Sequence, residues 1–298
     1  MPSPAEVARD HAALRRRLGA AVAGEAARLW GEVDPSRIGP SWLRLVPRLL
    51  LVLMGAQTAA AGQADRYLDA VLDAQGIDPA GVGSVVPSAL AGVASDGRDL
   101  SDLLYQPAIR TLSGIRDGAS VEQALAGGGA GLDMIVRTQV ADAGRVADQV
   151  ATTARRQATG YVRMLVGGGC SRCAILAGRH YGWNAGFDRH PRCDCVHVPA
   201  REDSADDART DPKRYFASLS EAEQDRVFTK AGAEAIRSGA DPAQVVNARR
   251  GMYEAGGRRF TRTNAGRRPR LMPEQILAEA RGDRAEAIRL LKLHRYLR

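Results

Sequence analysis

Apolar residues recur at helical spacing through much of the first half of the chain. Leu14, Leu18, Val22 and Leu29 fall on one face of a helix that the pattern predicts over residues 1–30. Polar and charged residues occupy the positions between them, as expected for a helix with one buried face. The beginning of the chain is therefore expected to be helical and packed along one side.

A second helix is predicted after a loop that contains two prolines. Pro35 and Pro40 indicate this loop, and the helix is expected over residues 42–75. Gly76 stands where the apolar stripe stops, so we expect the helix to end there.

Glycine interrupts the pattern over residues 80–130, which predicts short helices separated by breaks. The run Gly127–Gly129 is interpreted as a joint between two helices. From Leu132 to about Thr159 the helical spacing returns, with Ile135, Val140 and Val146 expected to face inward.

The pattern changes at Tyr161. Residues 161–166 alternate and favour β-structure, which predicts a short strand, and residues 196–198 predict a second. After an acidic loop, helix-start signals return: Ser220 with Glu223 resembles a capping box. Helices are expected from there to the C-terminus. The fold class is thus mainly α with a small α+β unit, in two domains, residues 1–160 and 161–298.

Composition favours a folded protein over a disordered one. The chain has 298 residues, of which 45% are hydrophobic and 5% aromatic. The most apolar stretch, Leu43–Ala61, is interrupted by Arg44, Pro47 and Arg48. The apolar segment after Arg48 is shorter than the roughly 20 residues of a spanning helix. We expect a buried core helix, no membrane span, no secretory signal and synthesis in a reducing cytoplasm.

The positive charge is concentrated in the second half. Residues 1–160 carry 16 Lys+Arg against 17 Asp+Glu, and residues 161–298 carry 26 against 17, so the net charge of +8 arises entirely from the second half. Guanidinium groups bind phosphate oxygens without reading base sequence. This favours a DNA contact, although a solvated loop gives the same pattern. The candidate nucleic-acid-binding residues form one run: Arg249, Arg250, Arg258, Arg259, Arg262, Arg267, Arg268 and Arg270.

All four cysteines lie in one short stretch. Cys170 and Cys173 form a C-x-x-C pair, and Cys193 and Cys195 form a C-x-C pair after a loop. Two close pairs of thiols that a loop allows to converge are typical of a tetrahedral Zn²⁺ site. In a reducing cytoplasm, four clustered cysteines bind metal more often than they form disulfides. We therefore predict that zinc staples the small α+β unit.

The ligand set of this site has alternatives. His190 lies three residues before Cys193, so a site of three cysteines and one histidine is an alternative to four cysteines. Disulfides in an assembled particle and unliganded thiols are further alternatives. The sequence lacks H-E-x-x-H, the zinc deaminase signature, G-x-S-x-G and the phosphate-binding P-loop. A closed structural site and no enzymatic activity are therefore expected.

Three ordered blocks of sequence resemble the MuF-like head morphogenesis proteins of phages of actinobacteria. The first block contains the cysteines, within residues 170–195, and the later blocks are residues 223–249 and 272–291. The resemblance covers roughly residues 160–298 and implies a MuF-like C-terminal half.

The resemblance also implies a role. The implied role is that of a minor capsid protein, present in few copies inside the head near the portal. Such a protein acts in head assembly and DNA delivery. The implied partners are the portal and major capsid proteins, bound by the helical first half, and packaged double-stranded DNA, faced by the arginine run. One rival hypothesis is a zinc-dependent nuclease or hydrolase delivered with the genome, dependent on Asp188 or His190. The other is a zinc-ribbon DNA-binding protein.

Overall fold

The computed structural model describes residues 2–186, 195–204, 210–237, 239, 241–248 and 279–293. These residues are mainly helical and include one three-stranded sheet, which confirms the mainly α fold class. The helices before the sheet are α1 (Pro4–Trp30), α2 (Ile38–Ala61), α3 (Ala64–Asp73), α4 (Leu100–Arg116) and α5 (Val121–Ala154).

The elements after α5 are shorter. They are β1 (Gly160–Leu165), α6 (Ser171–Leu176), β2 (His180–Gly182), β3 (Cys195–Ala200), α7 (Pro212–Ser218), α8 (Glu221–Phe228), α9 (Lys230–Arg237), α10 (Pro242–Ala248) and α11 (Arg284–Leu293). Short 3-10 turns occur at Pro87–Leu90 and Glu202–Ser204.

The described residues form two compact units, each discontinuous in sequence. The helical unit contains residues 13–65, 83–151 and 279–293, and the sheet unit contains residues 2–12, 66–82 and the described residues from 152 to 248. The division of roles between residues 1–160 and 161–298 stays a prediction.

The core of the helical unit is built around two tryptophans. Trp30 and Trp42 meet edge to face with ring centroids 4.8 Å apart, and Trp42 donates a hydrogen bond to the carbonyl of Leu104 at 2.8 Å. Leu49 and Leu53 of α2 are fully buried in the same core. Because Trp42, Leu49 and Leu53 lie on one stripe, α2 packs against its neighbours along that stripe.

The predicted joint at Gly127–Gly129 is wrong, because these glycines lie inside the continuous helix α5. Gly128 and Gly129 provide the space that Trp30 occupies. A Cβ at Gly128 would lie 2.6 Å from the Trp30 ring and 2.1 Å from the hydroxyl oxygen of Thr111. These glycines therefore permit close packing against a helix and do not interrupt it.

The single helix predicted over residues 42–75 is also wrong, because it is interrupted. Helix α2 begins earlier and contains Pro40 in its first turn, where a missing N–H is tolerated. It ends before Gly62, where a Cβ would lie 3.6 Å from the ring of Pro87. The predicted stop at Gly76 is confirmed: α3 ends at Asp73 and Gly76 adopts a φ of +66°.

Helices α2 and α3 taken together, Ile38–Asp73, are long and apolar enough to cross a membrane, and 33% of the most apolar window is buried. Core helices of soluble proteins reach the same length and hydropathy. Leu49 and Leu53 of this segment help to form the core of the helical unit. The absence of a membrane span stays our prediction.

The sheet confirms both predicted strands and adds a third. Its order is β2-β1-β3, and both pairings are antiparallel. The outer edge of β3 is covered by side chains of the sheet unit: Tyr67 donates to the carbonyl of His197 at 2.5 Å, and Gln75 donates to that of Pro199 at 2.7 Å. These donors satisfy carbonyls that an open edge strand would leave exposed.

The predicted start signal at Ser220 is confirmed. Ser220 and Glu223 form a capping box at α8, and α10 begins at Pro242 directly after Asp241. Phe216 of α7 and Phe228 of α8 meet edge to face at 5.2 Å. They share a buried cluster with Ala174 and Ile175 of α6. Helix α6, which carries Cys173, is thereby held against the helices that come after the sheet.

Candidate metal centre

The first cysteine pair lies where β1 gives way to α6. Cys170 is the N-cap residue of α6, and its sulfur accepts a hydrogen bond from the backbone N–H of Cys173 at 3.4 Å. The two cysteines are three residues apart in one turn, so both sulfurs belong to the same local structure. Cys173 is fully buried and Cys170 is half-buried.

Of the second cysteine pair, the described residues include Cys195, which is the first residue of β3. Cys195 lies opposite Leu165 of β1 and is fully buried. It packs with Cys173, and both Cys170 and Leu165 lie against them. The structure therefore brings three of the four predicted cysteines together, and these three are not joined to one another by disulfides.

The remaining predicted ligands, Cys193 and His190, lie outside the described residues. Among the residues that the structure does describe, no group of three or more His, Cys, Asp or Glu side chains is arranged to hold a metal ion. The donor chemistry still fits zinc, since three cysteines share one buried cluster and Cys193 precedes Cys195 by only two residues. The zinc site stays a prediction.

The sheet face that carries Cys195 also carries two buried polar residues, Arg163 and His197. Side chains alternate along a strand, so Tyr161, Arg163 and Leu165 of β1 share one face. Their partners on β3 in the ladder are Pro199, His197 and Cys195. His180 lies opposite Val162, which places it in register with the other face. Of His180 and His197, His197 is therefore the one in register with the cysteine face.

Arg163 is the feature of this site that the sequence patterns missed. Its side chain is fully buried, and Nη2 donates a hydrogen bond to the sulfur of Cys173 at 3.4 Å. An arginine at an inward-facing position of an otherwise apolar strand was the signal that could have revealed it. Because a buried guanidinium remains charged, it needs an electron-rich partner nearby, and sulfur is such a partner here.

Aromatic rings share this sheet face with the arginine. Tyr161 stacks on Tyr181 with centroids 5.5 Å apart and contacts His197 at 4.4 Å. Burial raises the pKa of Tyr181, and the charge of Arg163 opposes this shift. Tyr181 also donates to the carbonyl of Leu176 at 3.1 Å. These contacts connect β1 and β2 to the end of α6 and fix the frame around the cysteines.

Two aromatic residues of the cysteine stretch, Trp183 and Phe187, are predicted from the sequence to pack over the metal unit. Trp183 is half-buried, and its backbone N–H donates to the carbonyl of Thr159 at 3.0 Å. Phe187 lies outside the described residues. The packing of these rings over the site stays a prediction.

Comparison with known protein families identifies a match. The model of the VG15 protein family matches residues 1–222, about three quarters of the chain. The chain belongs to the VG15 protein family. This is a family of viral (phage) gene products, so the predicted phage origin is confirmed at this level. Comparison with curated proteins and with solved structures found no match.

The VG15 match and the MuF-like resemblance cover different parts of the chain. The VG15 match includes the helical first half, all four cysteines and Arg163. The MuF-like resemblance rests on residues 160–298, so only its first block lies inside the match. The arginine run 249–270 lies beyond the match and outside the described residues, and its assignment to DNA stays a prediction.

Proposed function

We propose that this VG15 family member is a structural minor capsid protein of a tailed phage. It would lie inside the head near the portal, in few copies, and act in head assembly and in DNA packaging and delivery. The observation that carries the proposal is the family match, which identifies a phage gene product and includes residues of both compact units. The resemblance to MuF-like head proteins supports the finer role, which is non-enzymatic.

An exposed apolar face of α2 supports binding to another virion protein. Leu43 and Leu51, eight residues apart on one side of the helix, are 60% and 72% exposed, whereas Trp42 and Leu49 of the buried stripe are fully buried. Large apolar side chains that remain exposed on a folded helix are typical of protein contacts. We call Leu43 and Leu51 the α2 face.

Helix α4 extends this surface. Ile109 and Leu112 of α4 are 44% and 45% exposed. A methyl group of Leu112 lies 3.9 Å from the Cβ position of Gly39, which is one helical turn before Leu43. The α2 face and the exposed residues of α4 therefore lie on adjacent helices. The proposed partner of this surface is the portal protein or the major capsid protein.

Incorporation into phage particles tests this role. A phage that lacks the gene would be complemented with the wild-type chain, with Leu51→Glu, or with Leu14→Glu, and the purified particles would be quantified by mass spectrometry. Leu14 is 42% exposed and lies on α1, so it provides the same substitution away from the α2 face. We expect Leu51→Glu to reduce incorporation and Leu14→Glu to leave it unchanged. Absence of the wild-type chain from particles would contradict the proposal.

The second part of the proposal is a structural zinc site formed by Cys170, Cys173, Cys193 and Cys195, with His190 as the alternative ligand. The clustering of three of these cysteines supports it. Zinc analysis of the purified chain should give about one ion per chain, as in structural sites with four protein ligands. The double variant Cys170→Ser/Cys173→Ser should lose it. A folded wild-type chain without metal would contradict the site.

The third part is a contact between the arginine run and packaged DNA. Substituting all eight arginines of the run by glutamine should reduce the amount of DNA packaged or delivered per particle, because phosphate contacts depend on charge. Normal packaging and delivery by this variant would contradict the DNA contact alone.

Metal-dependent nuclease activity of the wild-type chain that is lost in His190→Ala would instead favour the zinc hydrolase.

A further inference from the structure

The buried guanidinium of Arg163 has no role in the function proposed above. Arg163 and Cys173 are both fully buried, and Nη2 of the guanidinium donates an N–H···S hydrogen bond to the Cys173 sulfur at 3.4 Å. Cys195 is also fully buried and packs against Cys173. A permanent positive charge thus lies at the cluster of sulfurs.

The electrostatics of a zinc–thiolate site explain such an arrangement. Two thiolates balance the charge of Zn²⁺, and each further thiolate leaves the site more negative. In a buried site water does not offset this excess, so N–H donors and neighbouring cations become important. Conversely, a buried arginine is costly unless it is paired. The guanidinium and the sulfur cluster therefore stabilise each other when the site is loaded.

We propose that Arg163 is a positioning residue of the cysteine site: its guanidinium donates to the sulfur of Cys173, orients it towards the metal and offsets the excess negative charge. This inference rests on the zinc site proposed above. The strand register supports it, since the side chain of Arg163 shares a sheet face with Cys195. Tyr181 lies opposite Tyr161 on this face and stacks on its ring with centroids 5.5 Å apart.

Zinc affinity tests the inference, measured on the full chain by competition with a chromophoric chelator. Arg163→Met removes the charge at similar size, and Arg163→Lys keeps the charge without the planar group. Partners that orient metal ligands typically contribute about 10- to 100-fold in affinity. We expect a loss in this range for Arg163→Met and a smaller loss for Arg163→Lys.

A matched control is available in the same unit. Arg155 is also buried, but it pairs with Asp69 at 2.7 Å. Arg155→Met should therefore reduce stability and leave zinc affinity unchanged. Co²⁺-loaded samples add a readout that a purely structural role would not change: the sulfur-to-cobalt charge-transfer bands should shift in both Arg163 variants and should match the wild type in Arg155→Met.

The outcomes separate the two proposals. A wild-type chain that binds neither Zn²⁺ nor Co²⁺ overturns the metal site and the inference with it. A wild-type chain that binds zinc, beside Arg163 variants with unchanged affinity and unchanged cobalt bands, overturns the role of Arg163 alone. If Arg163→Met does not fold, Arg163→Lys decides, and wild-type affinity together with wild-type bands in that variant overturns the inference.

Discussion

At the scale of single residues, the strength of the capping box of α8 depends on pH through one carboxylate, that of Glu223. Glu223 accepts hydrogen bonds from the Ser220 hydroxyl at 2.7 Å and from the Ser220 backbone N–H at 2.9 Å. The hydroxyl bond is the main reason that the pKa of Glu223 lies below its ordinary value, and the backbone bond adds to it. Since ionised Glu223 is the form that these bonds favour, the cap is strongest when the carboxylate is charged.

We predict that Ser220→Ala returns the pKa of Glu223 towards its ordinary value, as followed by NMR titration. A lowered folded pKa means that the contribution of Glu223 to stability is present above the unfolded pKa and is lost as pH falls through the folded pKa. The variant should therefore lose less stability than the wild type in that acid range. The pKa of Glu286, lowered by Arg289, serves as an internal control and should not change.

A buried ion pair gives the second prediction at this scale. Arg15 and Asp148 are 5% and 0% exposed, and Nη1 lies 2.9 Å from Oδ2. Arg15→Leu leaves a buried carboxylate without this partner and should reduce the free energy of unfolding by about 3–5 kcal/mol, measured by urea denaturation. Arg17→Leu, at an exposed position of the same helix, should be nearly neutral. Equal stability of the two variants would contradict a stabilising role for the pair.

At the scale of elements, the glycines of α5 provide a test within one helix. Gly128→Ala should destabilise by about 1–3 kcal/mol, because its Cβ would overlap Thr111 and the Trp30 ring. Gly127→Ala meets nothing within 4 Å and should stabilise by about 0.5–1 kcal/mol through helix propensity. Thermal denaturation of both variants measures the difference. A stabilising Gly128→Ala would show that Trp30 can move aside.

Helix α5 also shows where sequence patterns fail. Local spacing was enough to predict α1, β1, β3 and the capping box of α8, because the signals for these elements lie within a few residues of one another. It failed at Gly127–Gly129, because Gly128 and Gly129 make room for Trp30, which is far away in sequence. It missed β2 because a strand of three residues has no detectable period.

The sequence likewise predicted some residues of the candidate site and missed others. The cysteine spacing predicted which residues would cluster, and three of them do. Arg163 was missed because only the pairing of β1 with β3 and the placement of α6 bring it to Cys173. Contacts of this kind depend on tertiary structure, which a spacing rule does not contain.

At the scale of the whole molecule, the sheet unit takes residues from distant parts of the chain. Tyr67 and Gln75 donate to the outer carbonyls of β3, although they precede it by more than a hundred residues. A fragment of residues 161–298 lacks both donors and exposes that edge. We predict that this fragment aggregates or fails to fold with zinc present, whereas the full chain folds. A monomeric fragment with dispersed NMR resonances would show that the sheet does not need these residues.

Because the cysteines lie in the sheet unit, the effect of metal removal can be compared between the two units. If zinc holds Cys173 and Cys195 together, a chelator should release the ends of β1 and β3, because short strands need support beyond their own hydrogen bonds. Hydrogen exchange with mass spectrometry should then show lost protection in β1 and β3. Helix α4, whose residues Leu104 and Ala108 are buried in the core of the helical unit, should keep its protection and provides the internal control. Unchanged protection in the strands, in a sample from which metal analysis shows the zinc removed, would mean that the sheet unit is stable without the metal.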